Sequence, residues 1–161
     1  MGGTGGAAAA ACAALVLGAV ACADRPPPPK PPEQQVREAL VAYNTAIADG
    51  DAVRACRLLT PEGQKAVEDI GLVGAPRGEP ADCQAAAGAL PKQLRELERV
   101  GGGEQPSLEE LKFGRVSAVV VRGTEARAKV EAAGSAESAE LERVADAWRI
   151  SRPPGLSEAE F

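Results

Sequence analysis

The chain has 161 residues, 25% of them charged, with a formal net charge of −5 and no histidine. Mild acidity without a lysine-arginine cluster excludes a surface that binds nucleic acid by neutralising phosphates. The missing histidine excludes His-based triads and His-bearing zinc sites.

Residues 7–21 form an uncharged apolar stretch, shorter than the roughly 20 residues that cross a bilayer as a helix and of the length found in secretion signals. Small residues close it, and the tetrad Ala19-Val20-Ala21-Cys22 resembles the lipobox of bacterial lipoproteins. That resemblance makes residues 1–21 a signal peptide and Cys22 the lipidated amino terminus of the mature chain. It implies a lipid anchor on the extracytoplasmic face of a cell membrane; an ordinary cleaved signal or an uncleaved anchor are the alternatives. Cys12 lies within the signal. Residues 22–32 include Pro26-Pro27-Pro28-Pro29-Lys30-Pro31-Pro32, which favours extended polyproline II and reads as a semi-rigid tether.

Residues 33–161 are enough for one compact domain. Val36, Leu40, Tyr43 and Ile47 recur at helical spacing over 33–48, and Gly50 supplies a stop. A shorter helix carries Val53, Cys56 and Leu59 toward the same core. Thr60-Pro61-Glu62 is a start signal for a helix reaching about Ile70. Gly71, Gly74, Pro76, Gly78 and Pro80 mark a connection. Asp82 caps a helix from Cys83 that carries Leu90, Leu94 and Leu97, with a kink expected at Pro91. Cys56 and Cys83 are the even pair left after Cys22 in an exported chain, so a structural disulfide is their simplest use; two buried thiols or a redox or metal role are the alternatives.

Gly101-Gly102-Gly103 lacks the context of a phosphate loop and reads as a connection. Ser107 and Glu110 can form a capping pair. Residues 113–121 are rich in β-branched side chains, and residues 125–131 alternate, with Ala126, Ala128 and Val130 on one face and Arg127, Lys129 and Glu131 on the other. Residues 132–138 read as a loose connection. A second hairpin comes next, 139–144 and 147–150, around Ala145-Asp146, with Trp148 and Ile150 on one face and Arg149 on the other.

The first helix through Tyr43, the stretch Cys56-Arg57-Leu58-Leu59-Thr60-Pro61, Cys83, the hairpin from Val119 to Ala126 and Trp148-Arg149-Ile150 together resemble small actinobacterial lipoproteins with an NTF2-like, or cystatin-like, domain. The resemblance implies an α+β fold over residues 33–151, with amino-terminal helices packed on a curved antiparallel sheet that forms a cone. Residues 152–161 then form a short tail. It also implies a cavity, with Tyr43 and Trp148 as its candidate lining; the plainer reading places both in the core.

No catalytic constellation, cofactor motif or metal-ligand spacing emerges. Asp69, Glu79, Asp82, Glu125 and Asp146 fall at helix ends or turns, where capping or solvent accounts for them. The serines lack a nucleophile elbow. The expected function is noncatalytic binding of a small apolar ligand or an envelope protein by a domain that Cys22 holds to membrane lipid. The alternatives are a cofactor-independent isomerase or hydrolase using a buried carboxylate, and a purely structural or regulatory lipoprotein.

Overall fold

A computed structural model describes residues 28–74, 82–99, 109, 114–132 and 135–155. The signal, Cys22, the triple glycine and residues 156–161 lie outside the described residues. The chain divides into Met1–Lys30 and Pro31–Phe161, and the described helices and strands belong to the second unit.

The described elements run α1 Pro32–Asp49, α2 Ala52–Arg57, α3 Pro61–Gly74, α4 Cys83–Arg99, then β1 Arg115–Arg122, β2 Glu125–Ala132, β3 Ser135–Val144 and β4 Ala147–Arg152. Local chemistry sets the boundaries. Pro32 occupies the first turn of α1, where its missing N–H costs nothing, and Gly50 ends the helix in the left-handed conformation at φ 75°. Asp51 accepts from the Arg54 amide at 3.0 Å, Thr60 from Gly63 at 3.2 Å and Asp82 from Ala85 at 2.8 Å, so α2, α3 and α4 each start on a side-chain cap. Pro91 lies inside α4, and the helix nevertheless runs through it. Likewise α3 continues to Gly74, four residues beyond the predicted stop.

The strands form an antiparallel meander in the order β1-β2-β3-β4. This corrects the expected NTF2-like or cystatin-like cone: the helices pack against a sheet that is neither closed nor curled. Among the described residues each strand pairs only with the strands next to it in the chain. β3 starts at Ser135, so much of the predicted loose connection is strand, paired with β2 from Ala132↔Ser135 onward. Once two hairpin arms are in register, backbone pairing extends past the side chains that alternate.

The core lies between helices and sheet. Val36, Leu40, Tyr43 and Ile47 of α1 are buried, as are Val116, Ala126, Ala128, Val130, Leu141, Trp148 and Ile150 of the strands. Cys56 and Leu59 are buried as expected, whereas Val53 is 43% exposed and α2 buries Ala55 in its place. Leu59 lies beyond α2 and makes a parallel bridge to Ile150. Thr60 N donates to Ile150 O, and Ile150 N to Leu58 O, each at 2.9 Å. The helical layer is thereby stitched to the outer side of β4. Packing continues past Ser151, since Pro153 is fully buried.

Candidate functional site

The two residues expected to line a cavity sit in the core. Tyr43 projects from the buried stripe of α1 and is 5% exposed, while Trp148, on the inner face of β4, is 4% exposed. Burial pushes the Tyr43 hydroxyl well above its ordinary pKa, because the phenolate would lose its hydration. Among the described residues Trp148 Nε1 has no hydrogen-bond partner although it is buried, a position that costs roughly 1–3 kcal/mol of desolvation. Cys56 and Cys83 are joined in a disulfide with Cα atoms 6.1 Å apart, tying α2 to the first residue of α4. Both cysteines are buried, and Glu68 accepts from the Cys83 amide at 3.1 Å.

Among the described residues, the buried polar side chains are Asn44 and Thr60, so no described carboxylate occupies the core. The isomerase or hydrolase alternative needs such a group as its base, with burial raising its pKa. No described group of three or more Cys, Asp or Glu is placed to hold a metal ion.

The polar chemistry lies on the outer face of the sheet. Strand register places it in rows: Arg122, Glu125, Glu142 and Arg149 cross all four strands, and Val120, Arg127, Glu140 and Arg152 form the next row. Arg127 pairs with Glu140 at 3.0 Å, and Arg152 approaches the same oxygen at 4.0 Å. Farther along, Glu131 accepts from Ser117 Oγ at 2.7 Å and pairs with Arg115 at 2.8 Å. These two partners, Ser117 first, hold the Glu131 carboxyl below the usual carboxylate range. Arg149 turns away to donate to the Arg57 carbonyl. An open groove of about 530 Å³ crosses the first two rows, lined by Val120, Arg122, Glu125, Arg127, Glu140 and Glu142 among others.

Sequence alternation identifies the charged face of β2, and its plain reading is solvation. It misses the alignment of charges from four strands into rows, because register between strands is not written in any one of them.

The chain matches no protein-family model, no curated protein and no solved structure.

Proposed function

We propose that this chain is an exported lipoprotein, held to the extracytoplasmic face of a cell membrane by lipid on Cys22, and that its domain binds an envelope protein without catalysing a reaction. The observation that carries the binding reading is the open, mixed-charge groove on the outer sheet face, set against the burial of Tyr43 and Trp148. An open, mixed-charge surface suits a protein partner better than an apolar small molecule, whose sites are enclosed and mostly apolar. The Cys56–Cys83 bridge supports export, because disulfides persist in oxidising compartments.

Two experiments separate the parts of this reading. Labelled lipid should join the wild-type chain in a bacterial host and not Cys22→Ala, which should leave the membrane fraction; an unchanged distribution sinks the anchor. A photo-crosslinking residue at Val120 should capture an envelope protein, while one at Val53, on the helical side, should not. Equal capture at both positions, or none at Val120, removes the sheet face as the binding surface.

The small-ligand alternative retains one observation in its favour. A ligand bringing an acceptor to Trp148 Nε1 would satisfy that donor. Native mass spectrometry of the protein isolated from its host tests this: a retained small molecule, lost in Trp148→Phe with the fold intact, would replace the partner reading.

A further inference from the structure

The two outer edges of the sheet are treated differently. β4 is flanked by main chain, since Leu58 and Thr60 bond to Ile150. β1 has β2 on one side and, among the described residues, no strand on the other. Its run Val119-Val120-Val121 is uncharged and β-branched, and Val120 is 50% exposed. Such an edge is a template for another strand.

β1 nevertheless departs from the regular geometry that addition of a strand requires. Ser117 pairs with Lys129 and Val120 with Arg127, so β1 spends one residue more than β2 over the same span. Within that bulge Ala118 is exposed and has φ 47°, a left-handed conformation that disfavours any residue with a Cβ. The extra residue is not needed to aim the side chains. Without Ala118 the alternation would still put Val116, Val119 and Val121 on the core side and Ser117, Val120 and Arg122 on the outer side. The strand thus carries local strain that its own packing does not require, the kind of feature that points to another role. One residue pair before the bulge, Arg37 of α1 donates to the Val116 carbonyl and brings a cation to the same strand. Bulges and charges are among the means by which proteins blunt an open edge.

We infer that the Ala118 bulge, together with Arg37, guards β1 against edge-to-edge pairing with β1 of a second copy of this chain. A second copy is the relevant intruder because an unbulged β1 is its own antiparallel partner. Pairing about Val120 sets Val119 against Val121 and Arg122 against Ser117, and opposes no like charges.

Sedimentation velocity on the full chain tests the guard. The wild type should stay monomeric across the concentration range. Deletion of Ala118 should strengthen self-association at least tenfold and slow amide exchange over residues 116–122. Arg37→Ala should shift association in the same direction by less. Ala118→Gly keeps the bulge and relieves its strain, so it should remain monomeric and melt at a higher temperature. A wild type already paired through β1 overturns the inference, as does a deletion variant that is folded by circular dichroism and monomeric at the highest concentration. Should the deletion not fold, Arg37→Ala decides alone, and a monomer under those conditions overturns it.

Discussion

A Cβ placed on Gly63 would lie 2.3 Å from the main-chain oxygen of Ile150. That oxygen already accepts from Thr60, so it cannot swing aside, and the start of α3 must move instead. Gly63→Ala should therefore destabilise the domain by about 1–3 kcal/mol, the range for overpacking a fixed contact, read as a lower midpoint in urea. Glu131 offers a residue-scale test of a different kind. Its pKa is lowered by the hydrogen bond from Ser117 and then by Arg115. A carboxyl with a depressed folded-state pKa contributes stability above its unfolded pKa and loses it as pH falls through the folded value. Ser117→Ala should move the Glu131 titration, followed by NMR, up toward the ordinary carboxylate range; an unmoved midpoint would mean that Arg115 alone sets it.

Among the elements, the disulfide joins two helices with α3 between them, at a sequence separation of 27. Closing a loop of that length restricts the unfolded chain by about 3.5 kcal/mol in the chain-entropy model. Replacing both cysteines with serine should lower stability by about that amount in a denaturant melt, and a loss near zero would mean that packing of α2 on α4 holds the pair together unaided. The stripe of α1, the Thr60 and Asp82 caps and the inward Trp148 and Ile150 were legible in the sequence because each depends on spacing within a short window, and the cysteine pair because only two cysteines remain after Cys22. Where elements end was less so. Glycines at 71 and 74 read as a stop although α3 includes them, and Ser-Ala-Glu-Ser at 135–138 reads as loose although β2 holds it in register. The charged rows, the bridge from Leu59 to Ile150 and the openness of the sheet depend on residues far apart in the chain, and no local pattern encodes them. A family resemblance carried the expectation of a cone, and the meander's pairing of neighbours with neighbours replaced it.

At the scale of the whole domain, the sheet is built from local hairpins while the link between layers spans most of the chain. Arg149 reaches the Arg57 carbonyl across 92 residues of sequence, and Leu59 meets Ile150 beside it. A chain ending at Asp146 would keep β1, β2 and β3 yet lose Trp148, Ile150 and the seat of α3. It should lack a cooperative thermal transition and the near-ultraviolet signal of packed aromatics, whereas a chain ending at Gly155 should keep both. The bonds to Ile150 also impose an order of events. A ribosome delivers residues 58–60 long before residue 150, and loop closure over that distance is slow compared with hairpin formation. The helices must therefore wait, incompletely seated, until β4 arrives, which leaves the nascent chain open to threading or capture throughout synthesis of the three strands before it.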